Sequence, residues 1–155
     1  RRTMIGETAE SAMAVLQKVL DDIAAEDPEF RAKIEVKTAE DVSYTGEIMS
    51  GYKDSEAWKT PKDHPFTQAC AAALEAVQLP VSYGYWSFAT DGGVTAGKYK
   101  KPTIGFSGMQ EQYAHTPFDK CRTDYIEHSI AGNVAIFLKA SEVNKEDFAE
   151  LSFEQ

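Results

Sequence analysis

Ser82-Tyr83-Gly84-Tyr85-Trp86-Ser87-Phe88, Thr90-Asp91-Gly92-Gly93 and Thr103-Ile104-Gly105-Phe106 are the stretches that decide the fold class. The first is dense in Tyr, Trp and Phe and has the length of a strand. The second turns the chain into a short helix ending near Lys98. The third is another short strand, followed by a polar loop from Ser107 to Asp119. Ahead of them, Asp63 reads as the cap of a helix through Pro65, Phe66, Ala69, Cys70, Ala73, Leu74 and Val77, stopped by Pro80. Behind them, Ile126, Ile130, Val134, Phe137 and Leu138 mark the buried face of a helix from about Asp124 to Lys139. Strands alternating with helices at this spacing predict βαβ connectivity and a mainly parallel sheet.

The amino-terminal third has a different rhythm. Ala12, Val15, Leu16, Val19, Leu20 and Ile23 recur at three- and four-residue steps and predict a helix with one buried stripe. Thr8 or Thr3 caps it, and Asp27-Pro28 ends it. Lys33 to Thr38 alternates charged and apolar residues as a half-exposed strand does, and Val42 to Met49 reads as a further strand. Residues 50–62 show no period and contain Gly51, Asp54, Ser55, Thr60 and Pro61, so a domain boundary is placed there. The opening Arg1-Arg2-Thr3-Met4-Ile5 reads as the end of a strand running into a helix, with sequence expected upstream of it.

Composition narrows the functional classes. The 155 residues are 43% hydrophobic, enough for a normal core in one or two small domains. Sixteen Lys and Arg against twenty-five Asp and Glu give a net charge of −9, which argues against nucleic acid or an anionic membrane surface as partner. No apolar run approaches the roughly 18 residues of a membrane span, and the expectation is a soluble, cytoplasmic protein. Cys70 and Cys121 are too few for a disulfide framework, lack CxxC spacing and read as small packed residues.

In open α/β sheets ligands collect at the carboxyl ends of strands, which directs attention to the loops after Phe88 and Phe106. The second loop carries His115, followed by Thr116-Pro117, an imidazole that a metal can use. Taken alone, a loop histidine is more often solvated or structural. His64 reads as structural or exposed, and His128 lies off the apolar face of its helix. HExxH, GxSxG and phosphate-cradling glycine loops are missing from the sequence.

Taken together, Thr90-Asp91-Gly92, Pro102-Thr103-Ile104-Gly105-Phe106 and Ala114-His115-Thr116-Pro117-Phe118-Asp119-Lys120 before an amphipathic helix resemble the final stretch of a zinc family. That family comprises acetylornithine deacetylase, succinyl-diaminopimelate desuccinylase, aminoacylase and glutamate carboxypeptidase. Arg1-Arg2-Thr3 through Gly6-Glu7-Thr8 is similar to part of its lid domain. The resemblance implies a carboxy-terminal fragment: residues 1–52 the second half of an α+β lid and dimerisation domain, residues 63–143 the end of a mainly parallel α/β catalytic domain, residues 144–155 a tail. It implies a two-zinc amidohydrolase or peptidase acting on N-acyl amino acids or small peptides, working as a homodimer. His115 matches the last zinc ligand, Gly108 lies near the substrate carboxylate, and Asp91 shapes the neighbouring loop or contacts substrate. The other ligands and the general base belong to an upstream half, so the fragment is expected to be inactive and to hold no zinc by itself.

Two departures bear on this expectation. Ser107-Gly108-Met109 stands where the family has Gly-Pro-Gly, and Phe118-Asp119 where it has Asn-Glu. They leave open a metal-free relative of the family, and a non-enzymatic dimerisation or binding module remains the other alternative.

Overall fold

The computed structural model describes residues 3–52 and 55–148. The expected opening at Arg1-Arg2, positions 53–54 of the expected linker and the tail beyond residue 148 lie outside the described residues. The chain contains both helices and a small sheet, and it divides into two units between Ala57 and Trp58.

In the first unit, helix α1 spans Ala9–Glu26. Thr8 caps it: its Oγ1 accepts from the Ser11 amide at 3.1 Å, while Ser11 Oγ accepts from the Thr8 amide at 3.0 Å. This reciprocal box satisfies two amide donors that a helix start otherwise leaves open. Asp27 closes the other end because Pro28 bars continuation. Strands β1 (Thr38–Val42) and β2 (Ile48–Tyr52) form an antiparallel hairpin with Ala39 opposite Gly51 and Val42 opposite Ile48. The strand expected at 33–38 therefore starts only at Thr38, and the middle of the strand expected at 42–49 is the turn. Gly46 causes the shift: at φ 86° it accepts a left-handed conformation, and its amide bonds the Ser43 carbonyl at 2.9 Å.

The stripe on α1 is not buried as expected. Val15, Val19 and Ile23 are all exposed, and neither strand of the hairpin in the same unit packs on α1. A two-stranded hairpin has too little apolar surface to cover an 18-residue helix.

In the second unit, helices α2 (Pro65–Ala76) and α3 (Thr123–Ala140) pack on each other. The cap of α2 is His64 rather than Asp63: Pro65 takes the first helical position, and His64 Nδ1 accepts from the Phe66 amide at 3.1 Å. The structural role expected for His64 is this cap. The contact between the helices uses small residues. Cys70 and Ala73 are buried on α2, and Gly132 is the buried residue of α3. The face of α3 expected to be buried points elsewhere, with Ile130 63% and Phe137 77% exposed. Periodicity identified the apolar stripe, but the α2 contact selected the small-residue face beside it.

The mainly parallel sheet expected across 82–106 does not form among the described residues. Residues 82–88 and 103–106 enter no ladder. Side chains occupy the backbone groups that a ladder would use. Glu111 Oε1 accepts from the Ser87 and Phe88 amides at 2.5 and 3.1 Å. Thr60 Oγ1 accepts from the Thr103 amide at 3.0 Å and donates to the Thr103 carbonyl at 2.6 Å. The short helix after Asp91 is a π turn, Gly93–Lys98, in which the Tyr99 amide reaches the Val94 carbonyl five residues back at 2.9 Å.

Apolar side chains stay exposed on a helix of each unit, α1 in the first and α3 in the second.

Helix α2 ends in a paired turn: the Leu79 amide bonds the Leu74 carbonyl and the Gln78 amide bonds the Glu75 carbonyl, both at 2.9 Å, with Gln78 left-handed at φ 60°. Gln78→Gly is expected to stabilise the second unit by about 0.5–1 kcal/mol, since relief of the left-handed penalty exceeds the added chain entropy; urea denaturation measures it. Burial pushes the Cys70 thiol up to about 11, whereas Cys121 is exposed, contrary to the packed position expected for it. At neutral pH iodoacetamide should therefore modify Cys121 alone, and Cys70 only after unfolding, as mass spectrometry of the folded and denatured chain would show.

Candidate functional site

The second unit carries a cleft of about 560 Å³. Its apolar walls are the rings of Trp58, Trp86, Phe88 and Phe106, and its polar groups include Asp91, Glu111 and His115. A cleft of this size and lining suits a small organic molecule.

Each wall has a structural reason. A Cβ on Gly92 would lie 2.2 Å from the Trp58 ring, and a Cβ on Gly105 would lie 2.0 Å from Trp86 Nε1. The two indoles thus occupy space that only glycine leaves free. Phe106 is seated in the same way, its ring 2.4 Å from where a Gly132 Cβ would stand. Phe88 meets the His115 ring edge-on, with centroids 5.0 Å apart and planes at 73°. Glu111 fixes the segment before this cleft wall by accepting the Ser87 and Phe88 amides.

His115 and Asp91 therefore line one cleft, as a site built from the two loops requires, although no sheet edge presents them. His115 is exposed and has left-handed backbone at φ 61°. That conformation is costly for a non-glycine residue and aims the ring at Phe88. Asp91 is exposed, and its carbonyl receives the Val94 and Thr95 amides at 2.9 and 3.1 Å, which starts the π turn. The Asp91 backbone carbonyl thus anchors the π turn, and the residue lines the cleft.

Gly108 sits apart, in a neighbouring hollow with Cys121, Ile126 and Ile130, joined to the first by the shared residues Ser107 and Met109. The absence of a side chain there is explained by packing: a Cβ would lie 2.5 Å from the Tyr125 carbonyl oxygen. The Cys121 thiol donates to the Gly108 carbonyl at 3.1 Å and holds the loop on the start of α3. His128 lines neither hollow.

Trp58, Trp86 and Glu111 are cleft residues that sequence reasoning missed. The sequence marks Trp86 only as a strand residue and places Trp58 in a stretch without period that resembles a linker. The available signal was the pair of glycines, Gly92 and Gly105, in segments otherwise read as turn and strand, because a glycine inside a strand marks close approach by another group. Nothing local distinguishes Glu111.

Among the described residues no group of three His, Cys, Asp or Glu side chains comes together to hold a metal ion. His115 offers a neutral nitrogen and Asp91 a carboxylate, donor types that zinc accepts, but zinc takes about four ligands. The residues present do not by themselves fit the ion. No protein-family model, curated protein or solved structure matches this chain.

The seating of the indoles is testable. Gly105→Ala should displace the Trp86 indole, shift tryptophan emission to the red and lower stability by about 1–3 kcal/mol. Unchanged emission and stability would show that the ring does not depend on the missing side chain.

Proposed function

We propose that this chain supplies one wall of the active site of a two-zinc amidohydrolase or peptidase acting on N-acyl amino acids or small peptides. The carrying observation is that His115, on strained backbone and braced edge-on by Phe88, opens on the same cleft as Asp91. On this reading the chain resembles the acetylornithine deacetylase and aminoacylase family, with residues 1–52 belonging to a lid and dimerisation domain and residues 63–143 to the end of an α/β catalytic domain. His115 is one nitrogen ligand, and the other ligands and the general base come from polypeptide outside this sequence. Gly108 brings its backbone near the substrate carboxylate, and Asp91 holds the loop beside it. The chain alone is inactive. The surface left uncovered supports a partner, and a second copy of the protein is the one proposed; nucleic acid and membrane are not partners, and the compartment is the cytoplasm. No helix among the described residues is long and apolar enough to cross a membrane.

A second reading has its own support. The exposed stripe Ile126, Ile130, Val134 and Phe137 along α3 favours a non-enzymatic dimerisation or binding module.

Zinc-dependent turnover separates the two. In the protein that joins this sequence to the remaining ligands, His115→Ala should reduce turnover of N-acetyl amino acids by roughly 100-fold or more and weaken zinc retention. Its thermal midpoint without metal should change little, because His115 is exposed. Normal turnover in that variant would remove His115 from the chemistry, and a tight stoichiometric zinc site in the 155-residue chain alone, seen by calorimetry, would contradict the division of ligands.

A further inference from the structure

The charge and ring content of the cleft point to a ligand class independently of any metal. Four aromatic rings form its walls, and three lie close against glycines: Trp58 on Gly92, Trp86 on Gly105 and Phe106 on Gly132. The described residues lining the cleft include two carboxylates, Asp91 and Glu111, and neither Lys nor Arg. Glu111 already receives two backbone amides, which leaves Asp91, exposed at the start of the π turn, as the carboxylate available to a ligand.

An anionic group entering this cleft would meet negative charge and aromatic rings, and no lining Lys or Arg would offset its desolvation. A positively charged amine meets the opposite situation. Aromatic faces attract cations, tryptophan most strongly, and a neighbouring carboxylate adds direct attraction. The apolar walls also ask for more than a bare ammonium: the ligand must fill apolar space while presenting its charge to Asp91.

We propose that the cleft bounded by Trp58, Trp86, Phe88 and Phe106 binds small molecules that combine an aromatic or bulky apolar body with a positively charged amine, Asp91 being the charge partner. This selectivity goes beyond the amidohydrolase reading and does not depend on it. If both hold, the side chain or leaving group occupying this cleft is a basic or aromatic amine rather than an acidic one.

The chain has two tryptophans and both line the cleft, so intrinsic emission reports on it directly. The 155-residue chain is titrated without metal with three probes of nearly equal shape: phenethylammonium, 2-phenylethanol and 3-phenylpropionate. Phenethylammonium should give a saturable emission change with a Kd on the order of a millimolar, the range open to so small a molecule. The alcohol should bind more weakly and the carboxylate most weakly. Asp91→Asn keeps the shape of an exposed side chain, and it should weaken phenethylammonium about three- to five-fold while leaving the alcohol unchanged.

Equal or tighter binding of 3-phenylpropionate would overturn the proposal. So would an amine affinity untouched by Asp91→Asn, or no saturable response to any probe. Because zinc takes no part, these outcomes leave the His115 turnover test to be decided separately.

Discussion

The second unit depends on the close approach of three groups at Gly132. Helix α3 presents no side chain there, which lets the Phe106 ring and Leu74 of α2 come within 2.4 and 2.9 Å of where a Cβ would stand. One contact therefore joins the two helices to each other and to the segment that carries the cleft wall. It also orients α3. With Gly132 turned inward, Ile130, Val134 and Phe137 are carried to the outside, so the exposed apolar stripe is a geometric consequence of the inward glycine. Large apolar side chains would give more burial energy per contact, but at this crossing they would hold the helices too far apart for Phe106 to enter.

The cleft is built by the same device. Gly92 and Gly105 give up their side chains to the indoles of Trp58 and Trp86, and side-chain acceptors stand in for a sheet. The Glu111 carboxylate receives the Ser87 and Phe88 amides, and the Thr60 hydroxyl both donates to and accepts from the Thr103 backbone. These bonds satisfy polar backbone groups next to apolar rings, where an unpaired amide or carbonyl costs free energy. The arrangement places Asp91 and His115 on one opening without requiring strand order or a carboxyl-terminal sheet edge.

Each unit leaves apolar side chains of a helix uncovered, and these give the architecture its functional context. They are Val15, Val19 and Ile23 on α1 and Ile130, Val134 and Phe137 on α3. Both the proposed enzyme and the alternative binding module require a partner surface, so it is the chemistry of the cleft that distinguishes them.

The helices were legible in the sequence because their determinants are local. Thr8 and Ser11 are three residues apart, Pro28 blocks its own neighbourhood, and the three- and four-residue spacing on α1 and α3 is a property of one helix. The two loops that meet at the candidate cleft were legible in part for the same reason: those containing Asp91 and His115 are marked by turn residues. The true hairpin turn was less legible, since Gly46 interrupts an alternation that runs across it. What tertiary structure alone decided was which apolar face is covered, which backbone groups find partners, and which rings reach the cleft. Gly132 with Phe106, Gly105 with Trp86, and Glu111 with Ser87 lie between 19 and 26 residues apart, and no periodicity encodes such pairs. Local sequence sets backbone preference and the pattern of apolarity; the choice among possible partners is made by close packing, where a missing Cβ decides what can approach.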